Sequence, residues 1–295
     1  MIDLTNMKEV PNKFGGSEKK KTVIYDNRCY LIKFPDPARG KTRKSMRYIN
    51  NQYSEYIGCK IFKEIGFDVQ NTFLALYNDA NTAKVVVACE DFTQDGAVLS
   101  EFSKLNLSLT ESDTRAVISF EAVQDFIEKN DLIINKKEII DKFWDMFVVD
   151  TLIGNTDRHY DNWGVLTKPD GSVSFSPIYD CGSSLGCLLS DDFMEKNINS
   201  LEFKNLEFNV CSVYSYKGKR VFYHNIYKDM PKGLANALLR IYPKIKIDNI
   251  NKIIEDTEGL SNIRKEYIKK SIACRYNEIL RSAYKKICKE INFCR

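Results

Sequence analysis

The sequence contains no pair of cysteines at the Cys-x-x-Cys spacing that is typical of zinc clusters and redox motifs. Its nine cysteines are odd in number and scattered along 295 residues, which argues against a disulfide framework and favours a reducing compartment. Only two histidines are present, and no second His or Cys stands at ligand spacing from His159. The sequence therefore indicates neither a disulfide-stapled protein nor a zinc-dependent one.

Long hydrophobic runs are also absent. The N-terminal residues MIDLTNMKEV have no apolar core of the signal-peptide type. No stretch approaches the roughly 18 uninterrupted apolar residues of a membrane span. We therefore expect a soluble, cytoplasmic protein without a membrane span, and export by a route that needs no signal peptide stays open.

Several catalytic motifs are missing as well. The serine-hydrolase GxSxG, the zinc-protease HExxH and the P-loop GxxxxGK(S/T) do not occur. The formal net charge of +4 is small for this length, so the overall charge gives no reason to expect a nucleic-acid partner. Hydrophobic residues make up 43% and charged residues 28% of the chain, which is a globular composition.

The first third of the chain is rich in β-type segments, which we interpret as two hairpins with a helix between them. The pair Asp26-Asn27 tolerates the positive φ angles of a two-residue hairpin turn. The helix is predicted from a cap at Ser45 to a stop at Gly66, because its apolar residues keep helical spacing. The predicted strands are KTVIY (21–25), RCYLIKF (28–34), TFLALY (72–77) and KVVVAC (84–89).

Helical patterns dominate from about residue 115 onward. The segment EIIDKFWDMFVVDTLIG (138–154) is apolar on most of its faces, as is typical of a helix at the centre of a core. The character of the chain changes after residue 92, so we predict an α+β protein with a small β-rich lobe over residues 1–92 and a larger helical lobe over 93–295. For the lysine- and arginine-rich C-terminal helices, a solvated face is favoured over a binding patch.

The run GNTDRHYDN (154–162) places two aspartates and a histidine directly after this buried helix. A turn at Asp170-Gly171 would fold the following segment into a hairpin, with Asn162 beside Asp180 at its open end. An amide oxygen and a carboxylate about 5 Å apart suit a hard cation such as Mg²⁺, which prefers oxygen ligands. We therefore predict Asn162 and Asp180 as metal ligands.

Asp157 stands five residues before Asn162, and Asp-x4-Asn followed by a metal-binding Asp is the layout of a phosphotransferase catalytic loop. In that interpretation Asp157 accepts the proton of an attacking hydroxyl. His159 would hydrogen-bond within the loop or touch nucleotide phosphates, and a purely structural role stays equally open. The alternative for the whole run is an ordinary turn, because Asn, Asp and Gly are common in turns.

Two charged residues fall on apolar elements of the small lobe. Lys33 lies inside the strand YLIKF, and the helical neighbours of Glu55 are small or apolar. A buried carboxylate is costly unless it meets a cation, and pairing Glu55 with Lys33 would resolve both burials. Such a pair positions phosphates in protein kinases. The alternative is that either side chain reaches water.

A glycine-rich run adjoins this lysine. The predicted hairpin sets Lys33 opposite Lys20, and Gly15-Gly16-Ser17 lies just beyond that residue. Glycine lets backbone N–H groups approach phosphate oxygens because it has no Cβ. An ordinary β-turn is the alternative.

Several strings, in their order along the chain, resemble the HipA family of serine/threonine kinases, and most closely its short cell-translocating branch. They are FGGS (14–17), YLIKFP (30–35), SEYIGCKIFKEIGF (54–67), VVVACEDF (85–92), WDMFVVDTLIGNTDRHYDNWG (144–164) and PIYDCGSS (177–184). The resemblance covers most of the chain, with the final helices matched by pattern more than by motif. It implies a two-lobed, protein-kinase-like fold of a cytoplasmic bacterial protein that uses ATP and Mg²⁺.

The resemblance also implies a role for each candidate residue. Asp157 matches the catalytic base, and Asn162 and Asp180 match the metal ligands. Lys33 corresponds to the ATP-phosphate lysine and Glu55 to its partner. Further contacts to the nucleotide are implied for the glycine loop and for a hinge whose backbone reads adenine, which together comprise Gly15, Gly16, Ser17, Ala88, Cys89 and Glu90.

Two features depart from longer members of the family. Those proteins carry an N-terminal subdomain that engages a DNA-binding antitoxin, whereas this sequence begins almost at the glycine loop, so the resemblance gives little support for a HipB-type antitoxin partner. The serine that they autophosphorylate corresponds to Lys13 here. Self-phosphorylation would therefore use another residue, with Ser17 and Thr22 as candidates.

Two other functions stay open. The string DRHYDN followed by YDCG also resembles the catalytic loop of phosphatidylinositol kinases, so a lipid or small-molecule alcohol is an alternative acceptor. A non-catalytic module of kinase shape that docks nucleic acid through the basic helices is the third interpretation. All five predicted polar residues of the nucleotide site are present, which argues against a non-catalytic module. They are Lys33, Glu55, Asp157, Asn162 and Asp180. The sequence identifies neither the protein substrate nor the oligomeric state.

Overall fold

The computed structural model describes residues 1–13, 15, 19–38, 49–79, 82–105, 118–131 and 133–293. The strands are β1 Ile2–Asp3, β2 Lys8–Val10, β3 Lys20–Tyr25, β4 Arg28–Lys33, β5 Thr72–Asp79, β6 Thr82–Glu90, β7 Val98–Glu101, β8 Ile118–Ser119, β9 Gly164–Thr167, β10 Val173–Phe175, β11 Cys211–Tyr216 and β12 Lys219–Phe222. The predicted cap at Ser45 and the loop residues Gly16 and Ser17 lie outside the described residues. The helix that was predicted to follow Ser45 begins only at Asn51, so its predicted start is wrong.

Helices make up most of the C-terminal part. They are α1 Asn51–Ile65, α2 Phe102–Leu105, α3 Phe120–Lys129, α4 Lys136–Ile153, α5 Asp191–Asn197, α6 Phe203–Phe208, α7 Tyr223–Ile226, α8 Lys232–Ile241, α9 Ile247–Glu255, α10 Asn262–Cys274 and α11 Ser282–Phe293. A 3₁₀ turn, Tyr242–Lys244, precedes α9, and a π-helical segment, Arg275–Arg281, joins α10 to α11.

Six strands form the sheet of the N-terminal part, in the order β1-β5-β6-β4-β3-β2. The first hairpin has the predicted register, because Lys33 pairs with Lys20. Its turn residues Asp26 and Asn27 have φ angles of 47° and 58°, the left-handed conformation that matches the twist of the flanking strands. The second predicted hairpin is formed by β5 and β6.

Helix α1 packs against one face of this sheet. Leu31 of β4 and Val87 of β6 belong to the same buried core as Phe62 of α1. The helix ends at Gly66, as predicted, where a φ of 99° is a left-handed conformation that glycine adopts without strain. The interface between α1 and the sheet is therefore apolar and fixed by packing.

Helix α4 is the central helix of the C-terminal part. Its residues are buried without interruption from Phe143 to Ile153, which confirms the predicted core helix. Aromatic rings surround it, and the ring of Phe120 contacts that of Phe147 with centroids 5.0 Å apart. The helix ends at Gly154, with a φ of 65°. The start of the GNTDRHYDN loop is thus attached to a close-packed element that cannot shift alone.

The hairpin that follows this loop differs from the predicted register by one residue. Thr167 pairs with Val173, so the turn contains one residue more than the predicted Asp170-Gly171 pair. Gly171 has a φ of 81°, the left-handed conformation that a three-residue hairpin loop requires. The predicted strand pairing is therefore wrong, and the predicted position of Asn162 beside Asp180 does not follow from it.

The C-terminal helices pack against both parts of the molecule. Helix α8 contacts α4, and Tyr53 of α1 donates its hydroxyl to Gly259 O, after α9, at 3.0 Å. Arg275 donates from Nε to Leu152 O at 2.9 Å, so it satisfies a carbonyl at the end of α4. These helices hold α4, which precedes the GNTDRHYDN loop, in addition to presenting basic residues to solvent.

Two expectations concern the chain as a whole. Among the residues that the structure describes, no helix combines the length and the apolar character that crossing a membrane requires. The sheet of β1 to β6 ends at Glu90, but the proposed lobe boundary near residue 92 stays a prediction.

Candidate active site

Lys33, Glu55 and Asp180 meet where β4, α1 and the segment after β10 come together. Lys33 Nζ lies 3.1 Å from Asp180 Oδ1 and 3.5 Å from Glu55 Oε2. Glu55 Oε1 accepts a hydrogen bond of 2.9 Å from the backbone N–H of Asp180. The predicted pair of Lys33 and Glu55 is present, and Asp180 joins it.

Burial and the Lys33 ammonium set the charges of this group. Glu55 is 1% exposed, and burial raises its pKa although Lys33 opposes the rise. Burial also acts to raise the pKa of Asp180, but the charge and hydrogen bond of Lys33 outweigh it and leave that pKa lowered. The Asp180 side chain is 37% exposed. It is therefore a carboxylate at neutral pH that a ligand from solvent can still reach.

The loop after α4 is held by hydrogen bonds among its own residues. Asn155 Oδ1 accepts from the backbone N–H of Asp157 at 3.0 Å, and Asn155 Nδ2 donates to Asp150 Oδ1 at 3.1 Å. Asn162 Nδ2 donates to Asp157 O at 2.7 Å. Because the amide nitrogen of Asn162 is committed to the loop, its oxygen is the atom available to a cation.

Arg158 connects this loop to the segment that carries Asp180. Its guanidinium donates to both carboxylate oxygens of Asp150, at 3.0 and 3.1 Å, and both side chains are 1% exposed. Arg158 Nη1 also donates to the backbone carbonyls of Asn162, at 2.9 Å, and of Tyr179. One nitrogen atom thus brings Asn162 next to the residue that precedes Asp180.

The sequence analysis did not identify this role of Arg158. A signal was available, because Asp150 lies in a helix that is apolar on most faces and a buried carboxylate there needs a cation. Arg158 follows eight positions later, within the DRH string. The ionisable groups of that string suggest chemistry, whereas Arg158 is the partner of a buried charge.

Asp157 and His159 lie at the exposed side of the loop. The Asp157 side chain is half-exposed, and its partial burial raises its pKa while the charge of His159 opposes the rise. His159 Nε2 lies 3.9 Å from Asp157 Oδ2, and His159 Nδ1 accepts the backbone N–H of Asp161 at 3.2 Å. The predicted hydrogen bond within the loop is present, and a contact of His159 with phosphates stays a prediction.

The nucleotide-binding residues predicted in the N-terminal part are spread over two elements. A Cβ at Gly15 would meet no described atom within 4 Å. Ala88 and Cys89 lie in β6 between β5 and β4, and Glu90 ends the strand. Their backbone groups take part in sheet pairing, and the adenine-reading role predicted for them stays a prediction.

Three other residues have environments that the sequence did not reveal. Thr22, a candidate for self-phosphorylation, is 5% exposed, so its hydroxyl is poorly accessible. Lys13, at the position of the family's phosphorylated serine, forms an ion pair of 2.8 Å with the buried Asp91. His224 is half-buried and stacks on Phe208 with ring centroids 4.8 Å apart.

The residues present fit a magnesium ion. In the described ranges, no group of three His, Cys, Asp or Glu side chains is arranged to hold a metal by itself. Mg²⁺ is usually bound through one or two protein oxygens, with waters and substrate phosphates completing its shell. Asn162 and Asp180 would supply such a pair of oxygen ligands, and Lys33, 3.1 Å from Asp180, carries the charge that suits phosphate.

Comparisons with known proteins identify the family of this chain. The model of the HipA-like C-terminal domain matches residues 13–235. Serine/threonine-protein kinase CtkA of Helicobacter pylori strain J99 is 35% identical, over 96% of this chain and 87% of that protein. The crystal structure of the Helicobacter pylori proinflammatory kinase CtkA matches with a TM-score of 0.87 and 34% identity, over 98% of both chains.

A more distant likeness concerns the fold alone. A chain of the Shewanella oneidensis MR-1 toxin–antitoxin complex of HipA, HipB and operator DNA matches with a TM-score of 0.52 and 16% identity, over 94% of this chain and 68% of that one. The predicted two-lobed, kinase-like α+β fold is confirmed by these structural matches. The chain belongs to the HipA-like family.

Proposed function

We propose that this protein is an ATP- and Mg²⁺-dependent serine/threonine-protein kinase. The observation that carries the proposal is the contact of Lys33 with both Glu55 and Asp180, beside a loop that holds Asp157 and Asn162 together. A polypeptide acceptor is supported by the similarity to CtkA, which is named a serine/threonine-protein kinase.

The residues around Lys33 bind and orient the nucleotide phosphates. Lys33 offers its ammonium to phosphate oxygens, and Glu55 holds that ammonium in place while it also fixes the backbone of Asp180. Asn162 and Asp180 would hold Mg²⁺, and the ion would supply positive charge to offset the negative charge of the phosphates during transfer. The glycine loop and the end of β6 complete the nucleotide site in this proposal, through Gly15, Gly16, Ser17, Ala88, Cys89 and Glu90.

Asp157 acts on the acceptor. Its carboxylate accepts a hydrogen bond from the acceptor hydroxyl and orients the oxygen in line with the bond that breaks. A new bond forms between that oxygen and the γ-phosphorus, the bond from the γ-phosphorus to the bridging oxygen of ADP breaks, and the hydroxyl proton passes to Asp157. The raised pKa of Asp157 favours its holding this proton.

Labelled ATP offered with several acceptors tests the proposal. The purified protein is incubated with γ-labelled ATP, with and without Mg²⁺, in the presence of a protein mixture or of phosphatidylinositol vesicles. We expect Mg²⁺-dependent label on serine or threonine of polypeptides, this chain included, and mapping would show whether Ser17 is modified. Label confined to lipid would replace the proposal with a lipid kinase, and no transfer to any acceptor would indicate a non-catalytic module.

A further inference from the structure

A cavity of about 200 Å³ opens beside the catalytic loop. Apolar side chains from the turn before α5, from α5 and from α6 and its end form much of its wall, namely Leu188, Leu189, Phe193, Leu206 and Val210. Leu188 and Phe193 are 40% and 37% exposed, so apolar surface faces solvent here. An apolar cavity of about 150 Å³ accommodates a benzene-sized guest. This cavity has room for one leucine or phenylalanine side chain.

The cavity shares a wall with the proposed catalytic centre. Thr156 and Ser183 line it, and Thr156 donates from its backbone N and its Oγ1 to Ser183 O, each at 3.1 Å. Thr156 precedes Asp157, and Ser183 follows three residues after Asp180. An extended polypeptide advances about 3.3–3.6 Å per residue. A chain whose hydroxyl meets Asp157 therefore passes the cavity within a few residues.

The charged residues of the cavity wall neutralise each other. Arg275 Nη1 forms an ion pair with Glu207, and the two side chains are 4% and 5% exposed. Ser271 Oγ donates to Glu207 Oε1 at 2.8 Å. Arg275 Nη2 has no hydrogen-bond partner among the described atoms, but the charge of Arg275 is already paired with Glu207. A charged guest would therefore lack a partner of opposite charge in this wall, so the wall favours a neutral guest.

The turn at the mouth of the cavity has an unusual backbone. Leu185 has a φ of 54°, which is rare for a bulky residue, and its N–H donates to Ile153 O at 2.9 Å. Gly186 follows with a φ of 67°, and Leu189 N donates to Gly186 O at 2.9 Å. Backbone strain of this kind persists only where the surrounding structure holds it, and it concentrates at functional sites.

We propose that this cavity binds an apolar side chain of the acceptor polypeptide, within about three residues of the serine or threonine that receives the phosphate. The proposal rests on the kinase function proposed above and adds a substrate preference to it. The guest belongs to the acceptor because the cavity adjoins the loop of Asp157. It is apolar because most of the cavity wall is apolar, and it is neutral because the charges in that wall are already paired.

The first measurement uses the wild-type protein and peptides with a central serine. Each amino acid is placed in turn at the positions on either side of that serine. We expect leucine, methionine or phenylalanine at one nearby position to raise kcat/KM about ten-fold or more over alanine. Equal rates for leucine, alanine and aspartate at every position would overturn the proposal.

Two variants connect this preference to the cavity. Leu188→Asp and Phe193→Asp each place a carboxylate at its mouth, on residues that are partly exposed and therefore tolerant of change. Each should bring the leucine-over-alanine ratio of kcat/KM close to one, through KM more than kcat. Ile134→Asp, at an apolar residue 75% exposed and outside the cavity lining, should keep the wild-type ratio. Preserved ratios in both cavity variants would contradict the assignment.

The outcomes separate this proposal from the kinase proposal. If peptides are phosphorylated equally well with and without an apolar residue near the serine, the kinase proposal stands and the proposal for the cavity fails. Competition by a fatty acid, with no effect of the peptide's apolar residue, would assign the cavity to lipid and overturn the proposal. Absence of transfer from ATP to peptide, protein or lipid removes both proposals, since the second rests on the first.

Discussion

Arg158 and Asp150 form a buried ion pair beneath the catalytic loop, with two hydrogen bonds of 3.0 and 3.1 Å. Burial raises the pKa of Asp150, and the guanidinium opposes that rise. Because Arg158 also donates to the carbonyls of Asn162 and Tyr179, this pair sets the spacing between the two proposed metal-binding segments.

Replacing Arg158 with methionine should strongly destabilise the protein. The Asp150 carboxylate would stay buried without its cation, and the expected loss is about 3–5 kcal/mol of unfolding free energy. Urea unfolding measures it. The matched control is Lys129→Met, which breaks an exposed ion pair with Asp125 and should cost less than about 1 kcal/mol. Equal losses in the two variants would contradict the role of the buried pair.

The pair of Lys33 and Glu55 predicts a graded effect on ATP use. Lys33→Met removes the charge that faces the phosphates, so kcat/KM for ATP should fall by about 10²–10³-fold. Glu55→Gln keeps an oxygen that can accept the N–H of Asp180 but loses the charge that holds Lys33, so its loss should be smaller. Steady-state kinetics at varied ATP concentration would measure the loss of kcat/KM in each variant. A larger loss in Glu55→Gln than in Lys33→Met would contradict these roles.

Gly58 marks a close approach between α1 and the segment of Asp180. A Cβ at Gly58 would lie 2.6 Å from Cys181 Cβ, so Gly58→Ala must displace one element. We expect a loss of about 1–3 kcal/mol in stability, and reduced phosphate transfer because Asp180 adjoins Cys181.

The control is a second substitution at the same contact. Cys181→Gly removes the opposing Cβ and should restore part of the activity lost in Gly58→Ala. Thermal unfolding and transfer assays of both single variants and the double variant measure this. If the losses of stability and of transfer activity in the double variant equal the sums of those in the two single variants, the clash with Cys181 is not the cause of the defect in Gly58→Ala.

Asp79 predicts a pH-dependent contribution to stability. Hydrogen bonds from Lys19 and Lys84 lower its pKa from 3.8 to about 2. Because the folded-state pKa is the lower one, the stabilisation is present above pH 3.8 and is lost as the pH falls towards 2. Asp79→Asn should therefore lower the free energy of unfolding more near neutral pH than at about pH 3, by under about 1 kcal/mol at this partly exposed site. Urea unfolding at the two pH values measures the difference. An effect that does not vary with pH would contradict this origin.

Local sequence patterns were sufficient for a large part of the site. The turn at Asp26-Asn27 determined the register that places Lys33 opposite Lys20, because a two-residue turn leaves one pairing. The apolar neighbours of Glu55 were enough to predict a buried carboxylate with a cationic partner. Both features depend on residues that are close together in the sequence, within one hairpin or one helix.

The remaining features depend on packing between distant segments. The second hairpin has a different register because its turn takes in one more residue than the Asp-Gly pair, which the sequence left ambiguous. Arg275 and Leu152 are 123 positions apart, and no local pattern indicates that this arginine supports the end of α4. The cavity beside Thr156 likewise forms only when four separate segments pack together.

The most direct test of the central claim is phosphate transfer by Asp157→Asn and Asp180→Ala. Both side chains are partly exposed, so the variants should fold with a Tm close to that of the wild type. Transfer from Mg²⁺-ATP should fall by about 10²–10⁴-fold in Asp157→Asn, and Asp180→Ala should lose its response to Mg²⁺. Wild-type turnover in both folded variants would show that these residues do not form the catalytic centre.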